Sequence, residues 1–558
     1  MQETTSGAAL TVEALKKEGI KYVFGLPGTT IMPLLDEFYR QDQIRYISVR
    51  HEQVAAFMAD GYSRACREGD LGVCLASRGP GAANMAIGLH NSFAESIPVL
   101  ALVGQVPDQF YHREAFEEMD LVKFFEPVTK WSLEIHDTRR IPELLQRAVR
   151  TAVGGRPRPV MVSIPFDVLQ EKTENVPLLP AFRSRHPLPA QAEIKQAARL
   201  LRQAEKPAIL LGGGGRRARE KVVLLAELLQ APVVTTWLRK DVFPNDHPLY
   251  FGTLGYGAFA VSEQIVKEAD VLFAVGCRFS EFTTKKWTLI DAATKIIQAD
   301  IDPEEIGKIY IPEIGLCGEA ALTVSELVQA LEEENADAAR LEQRKKRLAQ
   351  LSARLAQEIQ LPDTPKGAKY VPSAVIIKAL QTVIDRHSPA LVMDVPTFGV
   401  WAQRYLTIRE RDKYYGCGGG SMGWGFPAAM GIKLARPEEL VIAVSGDGSF
   451  WMVAQDLETA VRENIPVINI IINNFAFGNT RDRQKETYDG RYLGVFYNNP
   501  DFAAYAKLLG AYGERVEKAE DLVPALERAM ASGKPAVLDV IQDRFEGLPA
   551  GLAPIGAK

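Results

Sequence analysis

A chain of 558 residues is longer than one hydrophobic core organises, so several domains are expected. Its 47% hydrophobic and 24% charged content is that of a globular protein, and a formal charge of −5 without a basic tract argues against nucleic acid as a partner. No apolar run approaches the roughly 20 residues of a membrane span, and Met1 to Leu10 lacks a basic region followed by an apolar core, so a cytoplasmic location is expected.

Short β-branched runs alternate with helical patterns along the chain. This predicts an α/β protein with doubly wound parallel sheets covered by helices. Three such blocks are expected, at 1–172, 190–335 and 368–545. In the first, the strand Tyr22 to Gly25 leads into Leu26-Pro27-Gly28-Thr29-Thr30, which opens a helix. Arg50-His51-Glu52-Gln53 closes a strand, Ile44 to Val49, before a helical stretch from Ala55 to Arg67. Ser77 to Asn84 joins another strand to a helix. Each is an ordinary turn when taken singly; together they bring three strand-end loops to one edge of one sheet, where ligands of such folds sit.

A proline-bearing stretch, 173–189, predicts an extended linker. The central block places glycine clusters after two strands, Ala208 to Leu211 and Val271 to Val275. Leu331 to Gln360, rich in Glu, Arg, Lys, Ala and Leu, predicts a solvated helix that ends in the loop Pro362-Asp363-Thr364-Pro365. The cysteines (Cys66, Cys74, Cys277, Cys317, Cys417) show no metal-ligand spacing and read as reduced, mostly buried thiols.

The third block is the most informative. The strand Val441 to Val444 delivers Gly446-Asp447-Gly448-Ser449 to its carboxyl end, and a helix is expected from Trp451 to Arg462. The run Val467 to Ile472 then delivers Asn473-Asn474 to the same edge. A carboxylate and a carboxamide there are hard oxygen ligands, and glycine permits close backbone approach. That combination suits Mg²⁺ holding a diphosphate.

The pattern resembles the signature of thiamine diphosphate enzymes, GDG followed by a paired Asn. Across nearly its whole length the chain resembles the acetolactate synthase and pyruvate oxidase group of that family. Arg78-Gly79-Pro80-Gly81 through Asn91 to Gly104-Gln105-Val106-Pro107, Ala115-Phe116, Pro127 to Trp131 and Gly418 to Gly423 carry the likeness. The resemblance implies three domains, in order pyrimidine-binding, central nucleotide-binding-like and diphosphate-binding. It implies that Glu52 hydrogen-bonds the pyrimidine N1′ and favours the imino tautomer, whose 4′ nitrogen takes the C2 proton. Pro80 and Asn84 would contact the pyrimidine, the Gly420 carbonyl its amino group, and Met422 would bend the cofactor. Asp447, Asn474 and the Ala476 carbonyl would hold Mg²⁺; Val395, Thr397, Gly446, Gly448, Ser449, Phe477 and Gly478 would complete the diphosphate site.

Gly212, Gly213, Gly214, Arg278 and Asp300 match positions that bind FAD in the synthases; FAD, ADP or an empty central domain stay open. The resemblance also implies a 2-oxo acid donor, a carbonyl acceptor, and a second copy of the chain, in a dimer or tetramer, sharing each active site. Departures cluster around the substrate. Thr29 replaces a Gly, Glu117 a Gln after Phe116, Phe166 a Lys, Ser280 an Asp, Phe282 an Arg, and Arg483 a Trp; Val395 to Phe398 replaces a Gly-Gln-His run. Glu52, Thr29, Phe116 and Glu117 are therefore the candidate catalytic residues. Arg481 and Arg483 read either as anion contacts or as residues away from the substrate. The expected activity is transfer of the acyl carbanion of decarboxylated pyruvate, or a related 2-oxo acid, to an aldehyde, ketone or 2-oxo acid. A 2-oxo acid decarboxylase or C–C hydrolase, and more remotely a non-catalytic nucleotide-binding regulator, are the alternatives.

Overall fold

The computed structural model describes residues 4–67, 69–174, 176–178, 180–333, 337–364, 368–395, 397–410 and 413–554. Met1, Pro365 and Pro396, which belong to segments read from the sequence, lie outside the described residues. The strands are β1 (Thr4–Ser6), β2 (Tyr22–Gly25), β3 (Arg45–Ser48), β4 (Gly72–Ser77), β5 (Val99–Gln105), β6 (Trp131–Glu134), β7 (Val160–Pro165) and β8 (Lys172–Glu174) in the first domain. The central domain has β9 (Pro207–Leu211), β10 (Val233–Thr235), β11 (Tyr250–Thr253), β12 (Val271–Val275), β13 (Lys295–Asp300) and β14 (Ile314–Cys317). The third has β15 (Ala390–Met393), β16 (Lys413–Gly416), β17 (Val441–Gly446), β18 (Ile468–Asn473), β19 (Tyr512–Val516) and β20 (Ala536–Ile541).

Each domain is built on a six-stranded parallel sheet, and β1 pairs antiparallel with β8 beside the first. The first sheet runs β3-β2-β4-β5-β7-β6 and the third β16-β15-β17-β18-β20-β19, the same topology twice. The central sheet runs β11-β10-β9-β12-β13-β14. Its strand order is that of dinucleotide-binding folds, with a switch point between β9 and β12. The inner strands are continuous apolar runs because helices cover both faces: β5 and β12 are buried along their whole lengths.

The first and third domains share one hydrophobic core. Helix Glu52–Ala65 crosses helix Gly425–Ala435 with almost no space between backbones. A Cβ on Gly61 would sit 2.2 Å from the Ala428 carbonyl oxygen, and one on Gly431 2.1 Å from that of Met58. Beneath the crossing, fully buried Asp60 accepts from Trp424 Nε1 at 2.7 Å, Arg64 Nε at 2.7 Å and Ser92 Oγ at 2.8 Å.

Two expectations are corrected. The helix expected over Trp451 to Arg462 is broken into Asp447–Trp451, a 3₁₀ turn Ala454–Asp456 and Leu457–Arg462. The chain leaves helical geometry at Val453 (φ −138°), and beyond it Asp456 Oδ1 accepts from the Arg50 backbone N–H of the first domain at 2.8 Å and from Thr459 Oγ1 at 2.9 Å. The charged helix, Ala338–Glu358, is not solvated all round. Leu348 and Leu351 join the central core, and Arg344 is buried with its guanidinium on the carbonyls of Leu229, Leu201, Arg202 and Ala204.

Candidate active site

In the third domain the switch point lies between β15 and β17, and the expected cofactor residues gather there. Register pairs Gly446 with Ile472, so Asp447 and Asn473 leave the sheet side by side. Asp447 is 2% exposed. Its Oδ1 accepts from Gly448 N–H at 2.9 Å and Tyr497 OH at 3.0 Å; its Oδ2 accepts from Phe475 N–H at 2.7 Å and Asn499 Nδ2 at 2.8 Å. Burial still raises its pKa, because these donors are neutral and only partly offset the loss of water. A divalent cation would supply the charge that the donors lack. Phe475 adopts a left-handed φ of 56°, which turns its N–H onto Asp447.

The paired asparagines divide their work. Asn473 Nδ2 donates to Asp539 Oδ1 on β20 at 2.8 Å, and Asn473 Oδ1 accepts from Asn499 Nδ2 at 2.9 Å, so the first amide braces the sheet. Asn474 Oδ1 accepts only a 3.2 Å bond from Ala476 N–H among the described residues. Asp447, Asn474 and the Ala476 carbonyl supply oxygen donors of the kind a hard divalent cation takes. Around them, a Cβ on Gly478 would fall 2.7 Å from Thr397 Oγ1 and 3.5 Å from Asn474 Nδ2, which places Thr397 in the cluster. A Cβ on Gly448 would fall 2.6 Å from Phe477 Cε1 and 2.8 Å from Tyr497 OH. Ser449 is buried in the same turn, and Val395 N–H donates to Asp394 Oδ1 at 2.7 Å.

The Gly418 to Gly423 loop serves two purposes. A Cβ on Gly418 or Gly419 would lie 2.3 Å from Glu95 Oε1 or Asn91 Oδ1 of the first domain, so these two glycines are packing requirements. Gly420, with φ +75°, faces open space, and Met422 is half-buried beside it. Asp394 accepts from Gly425 N–H at 3.1 Å beneath the loop; burial pushes its carboxyl up to about 7.

On the first domain, Glu52 is the first residue of its helix and 7% exposed. Asn84 Nδ2 donates to its Oε2 at 2.9 Å, and a Cβ on Gly81 would lie 3.0 Å from Oε1. Pro80 and Asn84 lie on exposed positions of helix Arg78–Glu95. The first and third domains touch beside these residues: Gln53 Nε2 donates to the Met452 carbonyl at 2.8 Å. No hydrogen bond or ion pair joins Glu52 to Asp447 among the described residues.

A cavity of about 490 Å³ opens beside Thr29, Arg78, Phe116 and Phe166. Glu117 Oε2 lies 3.6 Å from Arg78 NH1 at its edge, and Phe116 is 75% exposed. Arg481 does not reach it: its guanidinium is 1% exposed and bonds the carbonyls of Arg544 and Glu546.

A second cavity, about 740 Å³, lies at the switch point of the central sheet and includes Gly213, Gly214, Arg278 and Asp300. Gly212 is a packing glycine, since its Cβ would meet the Gly276 carbonyl oxygen at 2.1 Å. The wall carries Arg156, Arg216, Arg217 and Arg239, while burial pushes the Asp300 carboxyl up to about 6.

Comparison with known proteins matches all three domains to family models. The N-terminal TPP-binding domain of thiamine pyrophosphate enzymes matches residues 5–124, the central domain 194–327 and the C-terminal TPP-binding domain 394–540. The chain belongs to the thiamine pyrophosphate enzymes. A probable acetolactate synthase large subunit of Methanocaldococcus jannaschii is 35% identical, covering 99% of this chain and 94% of its own. The isozyme 2 large subunit of Escherichia coli acetolactate synthase is 33% identical over 99% and 98% respectively, and the large subunit of Cyanidium caldarium 32% over 98% and 95%. Among the described residues no helix is long and apolar enough to cross a membrane.

Sequence reasoning missed Tyr497 and Asn499, which hold the Asp447 carboxylate from a loop without periodic signal. The bridge between Ala476 and Phe496 brings that loop over the Asn pair. A Tyr-Asn-Asn run, Tyr497-Asn498-Asn499, was the only available hint.

Proposed function

We propose that this chain is a thiamine-diphosphate-dependent carboligase. It takes the acyl carbanion left by decarboxylation of pyruvate or a related 2-oxo acid and joins it to a carbonyl acceptor. The observation that supports the reading is the presence of two prepared half-sites. One is a buried acid held by Asn84 on the first domain; the other is an oxygen donor set of Asp447, Asn474 and Ala476 on the third. The names of the relatives, acetolactate synthase large subunits, support the same chemistry.

When bound, the cofactor supplies a nucleophilic carbon and an electron sink for C–C cleavage. The protein does the rest. Glu52 holds or releases a proton at the pyrimidine N1′ position, and its Asn84 bond fixes the carboxyl plane. The Gly420 carbonyl would accept from the ring amino group, and Met422 would fill the space beneath the cofactor. Asp447, Asn474 and the Ala476 carbonyl would hold Mg²⁺, and Ser449 would donate to a diphosphate oxygen, the Gly448 N–H being given to Asp447 Oδ1.

Each site is completed by a second copy of the chain, Glu52 from one and Asp447 from the other, in a cytoplasmic dimer or tetramer. The arginine-lined central cavity, at the switch point of a dinucleotide-type sheet, is assigned to FAD or ADP. The test is incubation with pyruvate, Mg²⁺ and thiamine diphosphate alongside aldehyde, ketone and 2-oxo acid acceptors. CO₂ release with an acyloin-type product is expected. Release of aldehyde alone would move the enzyme to the decarboxylases, and a product of cleavage by water to the hydrolases.

A further inference from the structure

One guanidinium grips both ends of the Gly418 to Gly423 loop. Arg64, whose side chain is 2% exposed, lies in the last turn of helix Glu52–Ala65 in the first domain. Its NH1 donates to the Gly416 carbonyl at 3.2 Å, where the third domain's chain enters the loop. Its Cζ lies 4.7 Å from the centroid of the Trp424 ring, where the chain leaves it. Two buried carboxylates hold that guanidinium. Asp60 Oδ1 accepts from Arg64 Nε at 2.7 Å and from Trp424 Nε1 at 2.7 Å. Glu95 Oε2 accepts from Arg64 NH1 at 3.4 Å and from Arg239 NH2 of the central domain. Burial works against a charge on Arg64, and the two acids more than offset it, so its pKa rises.

Between its two ends the loop changes character. Gly418 and Gly419 pack directly on Glu95 and Asn91, and Cys417 Sγ donates to Asn91 Oδ1 at 3.3 Å. Gly420 then turns away, with φ +75° and no atom within 4 Å of the place its Cβ would take. The loop is thus pinned at entry, underside and exit, and bare at Gly420. A planar guanidinium can serve Asp60, Glu95, Gly416 and the Trp424 face together; a compact ammonium on a flexible stem cannot. None of these four partners is assigned to the cofactor, so Arg64 acts on the bare position only through the loop.

We propose that Arg64 is a positioning residue for the cofactor ring: by fixing Gly416 and Trp424 it sets where the Gly420 carbonyl and Met422 stand. The inference rests on the reading that this loop faces the pyrimidine. Mg²⁺ and the diphosphate would be held elsewhere in the third domain, by Asp447, Asn474 and their neighbours. Loss of Arg64 therefore weakens the grip on the ring and spares the grip on the tail.

Titration calorimetry on the full-length protein with Mg²⁺ tests this, measuring thiamine diphosphate directly and inorganic pyrophosphate, a tail without a ring, as its competitor. Arg64→Lys is expected to raise the Kd of thiamine diphosphate about tenfold, the worth of roughly one hydrogen bond, and to leave that of pyrophosphate within about twofold. Trp424→Phe keeps an aromatic face under Arg64 but takes the indole N–H from Asp60. About threefold loss for thiamine diphosphate alone is expected there, and this milder variant carries the test should the lysine variant not fold. Equal losses for the two ligands, or none for either, would overturn the role of Arg64 while leaving the cofactor reading intact. A wild type that holds thiamine diphosphate no more tightly than pyrophosphate would overturn the reading of the loop itself, and the inference with it.

Discussion

Neighbouring asparagines in this fold do unlike work, and the difference is set by which face of β18 each leaves. Asn473 is fully buried between Asp539 and Asn499, and the Asp539 carboxyl is itself pushed up to about 6 by burial. Removing the Asn473 amide leaves a buried acid short of a donor, a cost of about 2 kcal/mol. For a domain of this size that lowers Tm by roughly 4–8 °C. Among the described residues Asn474 has only its Asx-type bond to Ala476 N–H. We expect Asn473→Ala to melt earlier without cofactor, and Asn474→Ala to melt normally yet lose the stabilisation that Mg²⁺ and thiamine diphosphate give the wild type. Differential scanning fluorimetry with and without both ligands separates them. Equal loss of apo stability in the two variants would refute the division.

A second residue-scale consequence concerns Asp394. Burial raises its pKa from 3.8 to about 7, so between those values the folded protein holds a proton that the unfolded chain releases. Its contribution is therefore greatest below pH ~4 and is lost as pH rises through ~7, by about 4 kcal/mol in order of magnitude. Asp394→Asn removes this dependence. Urea unfolding at pH 5 and pH 7.5 should show the wild type losing more stability than the variant across that interval; parallel losses would contradict the assignment.

At the scale of elements, Arg344 ties the central domain together. Helices Gln191–Gln203 and Arg219–Leu229 both end under its guanidinium, which bonds carbonyls at 2.6 to 3.1 Å. A cation at a helix C-terminus answers unpaired carbonyls and the helix dipole together. Arg344→Ala should destabilise the central domain by about 3 kcal/mol. Limited proteolysis should then cut between residues 190 and 360 while the first and third domains persist. Lysine at this position, with one compact ammonium, should restore less than half of the loss.

The strands themselves were legible, because parallel strands covered on both faces are unbroken apolar runs and leave little choice of register. So were the positions of Glu52, Asp447 and Asn474 beyond strand ends, where the period stops. The interruption at Val453 was not legible, and neither was the bond that Asp456 beyond it accepts from the Arg50 backbone of another domain. Nor was the burial of Arg344, since a guanidinium that caps two helices has the same spacing as one facing water. Gly418 and Gly419 stand in the sequence only as part of the stretch that carries the family likeness, whereas the contact of a neighbouring domain requires them to be bare.

Across the whole molecule, the first and third domains repeat one topology, and the central domain adds a dinucleotide-type sheet between them in sequence. The repeated sheets place an acid and an oxygen donor set at corresponding crevices, which is what a cofactor with a ring at one end and a diphosphate at the other requires. The most direct test is the rate at which the C2 proton of bound thiamine diphosphate exchanges with deuterium, followed by acid quench and proton NMR on the wild type and Glu52→Gln, both saturated with Mg²⁺. Exchange should be fast in the wild type and slower by 10² to 10⁴ in the variant, the range of general acid–base contributions. Equal exchange rates in the two proteins would contradict the account.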